Sequence, residues 1–293
     1  MSIIEIHDLK YTYSAGTPFE KIALNNINLR VEKGDFIGVI GHTGSGKSTL
    51  MQHLNGLVKP TSGKIYVDGI DIWEEPKKIR DIRFKVGMVF QYPEHQLFEE
   101  TVYKDISFGP KNMGLNKNEI DKRVKKACEF VGLNASIFEK SPFDLSGGEK
   151  RRVAIAGVLA MAPSVLILDE PTAGLDPKGR DLILNLIKEY HQVMNNTVIF
   201  VSHSMEDVAR ISKKVLVLNK SEAVMFDETQ NVFKHAQKIK AMGLDLPQIT
   251  EVFIKLSEKG LDINPYVYSI KEGKKEILKL CKEKGIDFYE GRN

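Results

Sequence analysis

Residues 41–48 read Gly41-His42-Thr43-Gly44-Ser45-Gly46-Lys47-Ser48 and fit the pattern G-x-x-x-x-G-K-[ST]. Each residue type at this spacing serves a phosphate. Glycines let backbone N–H groups turn inward around phosphate oxygens, a lysine reaches the β- and γ-phosphates, and a serine hydroxyl ligates Mg²⁺. Lys47 and Ser48 take the last two roles, and Thr49 follows them in the candidate set. The loop leaves an apolar run, Phe36–Ile40, and opens a helical pattern through Leu50 and Leu54. A helix starting near Lys47 would add the positive end of its dipole.

Other apolar runs lie at Val86–Phe90, Val165–Leu168, Thr197–Val201 and Val215–Leu218. Short continuous apolar runs with amphipathic helices between some of them predict an α/β fold with a mainly parallel, buried sheet. In such sheets ligands bind at the carboxyl ends of the strands. Three further ends carry suitable residues. Val165–Leu168 runs into Asp169, placed to steady Mg²⁺, and Glu170, placed to polarise an attacking water. Val86–Phe90 runs into Gln91, which can both donate and accept and so can touch Mg²⁺ and the water. Thr197–Val201 leads through Ser202 to His203, which can hydrogen-bond a γ-phosphate. Each feature alone has an ordinary reading as a surface acid, a loop amide or a structural histidine. Four such ends in one chain carry the argument jointly, and they point to ATP and Mg²⁺.

The bulk properties fit one large α/β domain with a smaller appendage. The chain has 293 residues, 42% of them hydrophobic and 28% charged, so it is neither disordered nor fibrous. Its 42 basic residues nearly balance 39 acidic ones, for a net charge of +3, which gives no support for a nucleic-acid partner. Cys128 and Cys281 form no metal-type cluster, and the N-terminus lacks a signal-peptide layout, so a reducing cytosol is expected. The longest apolar run, Val153 to Leu168, contains Pro163 and is too short for a comfortable membrane span.

A helix is predicted from about Lys117 to Val131, with Ile120, Val124, Cys128 and Val131 on one face. Asn116 and Glu119 resemble a capping box at its start, and Gly132 ends it. After about Phe226 strand signals fade. Ile249, Val252, Phe253 and Leu256 form a helical stripe before Gly260, and Ile277, Leu278 and Cys281 another before Gly285. The expected division is a nucleotide-binding domain over residues 1–228, with a helical subdomain at about 92–162, and a C-terminal domain over 229–293.

Residues 145–149 read LSGGE and precede KRRVAIAGVLAMAP. Ser146, Gly147 and Gly148 thus open a second helix whose N-terminus is fit to receive an anion. Here the chain resembles the nucleotide-binding subunits of ABC transporters, over roughly residues 3–228 and in the family's motif order. The phosphate loop is Gly41–Ser48, the Q-loop residue Gln91, the signature Leu145–Glu149 and the second nucleotide motif Val165–Glu170. Ala173-Gly174-Leu175-Asp176 resembles the D-loop, and His203 the switch histidine. Tyr13 sits where the family places an aromatic that stacks on adenine, with Tyr11 the competing candidate. The run after Gln91, YPEHQLFEETVYKDISFGPKNMG, together with GHTGSGKSTLMQHLNGL and the extra C-terminal domain, resembles energy-coupling-factor transporter ATPases, specifically the second of their two paired types.

This resemblance implies a P-loop ABC ATPase domain: a parallel core, an antiparallel β part and a helical signature subdomain. It also implies a head-to-tail sandwich with a second ATPase, in which the loop of one chain faces the LSGGE of the other. Ser146, Gly147, Gly148 and Asp176 would then serve ATP held by the partner. No motif is degenerate, so a homodimer is allowed, whereas the subfamily favours a heterodimer. Further implied partners are a transmembrane coupling subunit and a substrate-capture membrane subunit of a vitamin or transition-metal importer, with this chain peripheral on the cytoplasmic face. The stretch Tyr92 to Gly109, with Tyr92, Phe98, Tyr103 and Phe108, is the expected contact with a membrane partner. The competing class is a soluble ABC ATPase. Only 129 positions separate Gly41 from Glu170, with no sustained heptads, which leaves no room for the long coiled coil of chromosomal types.

Overall fold

The computed structural model describes residues 1–285. In chain order its elements are β1 (Ser2–Tyr13), β2 (Lys21–Glu32), β3 (Phe36–Ile40), α1 (Lys47–Leu54), β4 (Ser62–Val67), β5 (Ile70–Asp71), α2 (Ile79–Lys85) and β6 (Val86–Val89). Then come α3 (Val102–Asn112), α4 (Lys117–Phe130), α5 (Gly147–Leu159), β7 (Val165–Asp169), α6 (Pro177–Met194), β8 (Thr197–Val201) and α7 (Met205–Ile211). They are followed by β9 (Lys214–Asn219), β10 (Glu222–Glu228), α8 (Thr229–Lys234), α9 (Ala236–Ala241), α10 (Gln248–Glu258) and α11 (Ile270–Glu283).

The five apolar runs become five adjacent strands. The central sheet has the order β10-β9-β3-β8-β7-β6, parallel from β9 to β6, with β10 antiparallel at one edge. Every residue of β3, β6, β7 and β8 is buried. The reason is that both faces are covered. Phe36 and Ile40 of β3 enter one core with α3 to α7, while Ile37 and Val39 enter another with α1 and the first sheet. β7 splits the same way: Leu166 and Leu168 face the helices, and Val165 and Ile167 face the first sheet. A strand buried on both faces needs apolar residues at every position, which is why periodicity 2 is missing from these runs.

The first sheet is antiparallel, in the order β2-β1-β4-β5. β1 and β2 are twelve residues each, and their register shifts repeatedly. Asp8 and Asn26 adopt left-handed backbones inside these two strands, as bulged strands do.

The helix predicted at Lys117 forms as α4. Asn116 Oδ1 accepts from the Glu119 N–H at 3.0 Å, but the Glu119 carboxylate turns to Arg123 at 2.9 Å instead of back to Asn116. The capping box is therefore half made, because an i,i+4 ion pair competes for the same carboxylate. α8 and α9 place Val232, Phe233, Ala236 and Ile239 in the helix-side core, followed by Leu244 and Leu246. A separate cluster begins with Ile249 and holds Phe253, Leu256, Ile263, Val267, Ile277 and Leu280. Val252, expected on the inward stripe of α10, is exposed. Tyr268 stacks on Phe233, with ring centroids 6.2 Å apart, and so joins the C-terminal cluster to the rest.

Candidate active site

Because β3, β6, β7 and β8 are parallel neighbours, their carboxyl ends open on one edge of the sheet. The turn after β3 is residues 41–46. Gly46 caps α1 with φ +103°, and a Cβ there would meet the Ala23 carbonyl oxygen at 2.5 Å. Only glycine fits both the conformation and the space. Lys47 is almost wholly buried and folds back over its own loop, donating to the carbonyls of Gly41 at 2.6 Å and His42 at 3.2 Å. Burial pushes the Lys47 ammonium below its ordinary pKa, while the charges of Glu170 and Asp169 oppose that shift. The Ser45 hydroxyl is fully buried and, among the described residues, has no hydrogen-bond partner. His42 is held by the Thr43 carbonyl at 2.9 Å and Asn219 Oδ1 at 3.2 Å.

Asp169 is the last residue of β7, one further than the apolar run implied, and pairs with Val201 across the sheet. Its carboxyl lies above the usual range because of burial, against the pull of a hydrogen bond from Ser48 and the charges of Lys47 and His203. Glu170 follows with a left-handed backbone, φ +52°, an unusual conformation for a non-glycine residue. Its carboxylate receives Gln91 Nε2 on one oxygen at 3.2 Å and meets His203 Nε2 on the other at 2.7 Å. Three strand ends thus converge on one carboxylate beside the phosphate loop, and Lys47, Ser48, Gln91, Asp169, Glu170 and His203 are brought together.

Tyr13 and Tyr11 sit edge to face, 4.8 Å apart. Tyr11 packs on the first-sheet core and against His53, whereas Tyr13 is exposed and its hydroxyl shares a hydrogen bond of 3.1 Å with Thr49 Oγ1.

Ser146, Gly147 and Gly148 stand apart from this cluster. Ser146 caps α5 in a complete capping box with Glu149: the Ser146 hydroxyl and N–H both donate to Glu149 Oε2, at 2.6 and 3.0 Å. A Cβ on Gly147 or Gly148 would meet nothing within 4 Å. Asp176 caps α6, its Oδ1 accepting from the Gly179 N–H at 2.8 Å. Among the described residues no hydrogen bond or ion pair joins Ser146, Gly147, Gly148 or Asp176 to residues 41–48.

Motif reading missed Arg151. Its side chain is 4% exposed and makes a two-pronged bond to Glu94, at 2.8 and 2.7 Å, while its third nitrogen donates to the Ala173 carbonyl at 2.8 Å. It ties the turn after Gln91 to α5 and to the segment after Glu170. Burial raises the Glu94 carboxyl, yet the bonds and charge of Arg151 prevail and hold it below its ordinary pKa. A basic residue after a helix start ordinarily reads as solvated, and no local pattern announces a partner 57 positions away.

Of the four aromatics in the 92–109 stretch, Tyr92, Phe98 and Phe108 are exposed, and Phe98 and Phe108 meet edge to face at 5.0 Å. Tyr103 turns inward onto the helix-side core and bonds Asp121. Asp105 accepts from the N–H groups of Phe98 and Glu99 and so fixes the loop before α3.

The donor set tests the fit of Mg²⁺. Among the described residues no three His, Cys, Asp or Glu side chains cluster as a metal site. Mg²⁺ is commonly held by one or two protein oxygens together with substrate phosphates. The Ser48 hydroxyl and the buried Asp169 carboxylate that it influences are such a pair, so the residues fit. Among the described residues no helix is long and apolar enough to cross a membrane.

Residues 24–173 match the family model described as ABC transporter. The energy-coupling factor transporter ATP-binding protein EcfA2 of Clostridium tetani is 55% identical over 285 residues, covering 97% of this chain and 99% of that protein. Among solved structures, cbiO1 from Clostridium perfringens, part of the ABC transporter complex cbiONQ, is 41% identical with a TM-score of 0.72, covering 85% of this chain and 97% of that one. The ATP-binding cassette MJ0796, in a dimeric post-hydrolysis state bound to ADP and Pi, is 28% identical with a TM-score of 0.69, covering 77% of this chain and 98% of that one.

Proposed function

The chain belongs to the ABC transporter family of ATP-binding subunits, and from that premise we propose that it powers an energy-coupling-factor importer for a vitamin or transition-metal ion. The observation that carries the catalytic reading is the Glu170 carboxylate, held between Gln91 and His203 next to the phosphate loop. Near-full-length likeness to EcfA2 proteins supports the transporter class.

In this reading the N–H groups of residues 41–48 and the Lys47 ammonium bind the phosphates, and Thr49 lies beside them at the start of α1. Tyr13 stacks on adenine, since Tyr11 is engaged in packing. Glu170 orients and polarises the attacking water, Gln91 positions it, and His203 hydrogen-bonds the γ-phosphate. Ser48 and Asp169 would hold Mg²⁺, with Gln91 nearby, and the ion would supply charge neutralisation on the phosphates. Ser146, Gly147, Gly148 and Asp176 serve the nucleotide of a partner ATPase; their helix starts are exposed, and among the described residues no bond ties them to this chain's own loop. The partner is a similar but distinct ATPase. Closure of the pair depends on the γ-phosphate, and its loss releases the pair.

The exposed Tyr92, Phe98 and Phe108 form the contact with a transmembrane coupling subunit, which in turn serves a substrate-capture membrane subunit. The chain then sits on the cytoplasmic face. Residues 1–228 act as the ATPase domain and the C-terminal residues support dimer contact. Replacing Glu170 with Gln should leave ATP binding within about twofold and slow turnover in the assembled transporter by about 10³-fold. Turnover close to wild type would remove Glu170 from the mechanism.

A further inference from the structure

We propose that Arg180 and Asp207 are a positioning pair that sets His203 against Glu170. The inference rests on the catalytic reading of those two residues. His203 projects from the short segment between β8 and α7, and its side chain is 49% exposed. Its ring meets Glu170, and backbone placement decides where the ring sits. Two tethers fix that backbone. Ser202 Oγ accepts from the Ser204 N–H at 3.0 Å, and Ser204 caps α7 by accepting from the Asp207 N–H at 3.2 Å.

The second tether crosses between elements. The Asp207 side chain is 5% exposed, and both of its oxygens accept from Arg180 Nε, at 2.9 and 2.8 Å. Arg180 Nη2 reaches Asp207 Oδ1 at 2.8 Å and also donates to the Ser204 hydroxyl. Arg180 stands in the first turn of α6, four residues after Asp176, and its N–H bonds the Asp176 carbonyl at 2.9 Å. Thr172, two residues after Glu170, places its hydroxyl 3.5 Å from Asp207 Oδ2. The chain leaving β7 carries Glu170, the chain leaving β8 carries His203, and the guanidinium fastens the two together.

A buried carboxylate demands such a partner, since leaving it unpaired is costly. The planar fork of arginine supplies direction as well as charge, so the distance between the two segments is set and not merely limited. The pair touches neither nucleotide motif residue directly and acts through His203.

Turnover in the assembled transporter and affinity for Mg-ATP test this, with Arg180→Gln and Asp207→Asn each placed in the wild-type and the His203→Ala chains. Each should slow wild-type turnover by about tenfold with KM for ATP within about twofold, and slow the residual turnover of the His203→Ala chain by less than about twofold. Arg180→Lys, which keeps the charge and loses the fork, should fall between. Equal slowing in both backgrounds, or none in the wild type, overturns the pair's role. If Arg180→Gln fails to fold, Asp207→Asn and Arg180→Lys read the same cycle. A wild-type assembly without ATP turnover would instead remove the catalytic reading on which the inference stands.

Discussion

Residues 41–48 and 145–149 are built alike. Each is a glycine-rich turn that opens a helix, with a serine at or beside the start. Their surroundings differ. At the first, Ser45 and Lys47 are buried, and three other strand ends supply Asp169, Glu170, Gln91 and His203. At the second, the Ser146 side chain bonds Glu149 within its own turn, and Gly147 and Gly148 have empty space where a side chain would go. The Gly147 and Gly148 N–H groups have no intrahelical partner, as at any helix start. Under the proposed function, the same local device makes a pre-assembled half-site in one place and an open donor surface in the other, which a partner molecule would cover.

The contrast can be broken at either end. Replacing Lys47 with Ala removes a charge that sits inside the first site, and should weaken ATP binding to the chain by about 10³-fold, the loss of roughly two charge-assisted hydrogen bonds. Titration with a fluorescent ATP analogue reads this, and near-normal affinity would mean the loop is not the phosphate site. Replacing Gly148 with Asp places a carboxylate on the second site without a steric clash. It should leave ATP affinity of the isolated chain unchanged while lowering turnover of the assembled transporter by about 10²-fold. A loss of affinity in the isolated chain would show that the two regions belong to one site within one chain.

The smallest expected effect sharpens the comparison, because it concerns the cost of pre-assembly. Burial raises the Asp169 carboxyl above its ordinary range. The folded chain then holds that proton more tightly than the unfolded chain, so the Asp169 contribution to stability is largest below the unfolded carboxyl value of about 3.9 and is lost as pH rises through the folded one. Replacing Asp169 with Asn should stabilise the nucleotide-free chain by about 1 kcal/mol at neutral pH, and the gain should vanish toward acid. Thermal melts across pH read the effect. A destabilised Asp169→Asn chain at neutral pH would reverse the sign of this account.

Much of the central sheet was legible because β3, β6, β7 and β8 are buried on both faces and so appear as unbroken apolar runs. Their polar ends were legible for the same reason: Gln91, Asp169 and His203 interrupt those runs. β1, β2, β4 and β5 left no such trace. Twelve-residue strands whose register shifts at Asp8 and Asn26 lose the alternation that marks a half-buried strand. The ion pairs Arg151–Glu94 and Arg180–Asp207 were illegible because their partners are 57 and 27 residues apart and a single sequence records no long-range pairing. The half-made cap at Asn116 shows a local rule losing to a neighbour, since Arg123 claims the carboxylate that the motif assigns to the backbone.

The position of Lys47 has a consequence for which molecules enter the loop. Its ammonium is not waiting in solvent; two carbonyls of its own turn already take two of its three N–H bonds, one at 2.6 Å. A visitor must offer something better than a peptide oxygen to draw it away. Adenosine offers no anionic oxygen there, and a single phosphate offers few, whereas a polyphosphate chain supplies several in a row. If residues 41–48 hold the phosphates as proposed, the resting lysine is a threshold that favours a long polyphosphate tail over a short one.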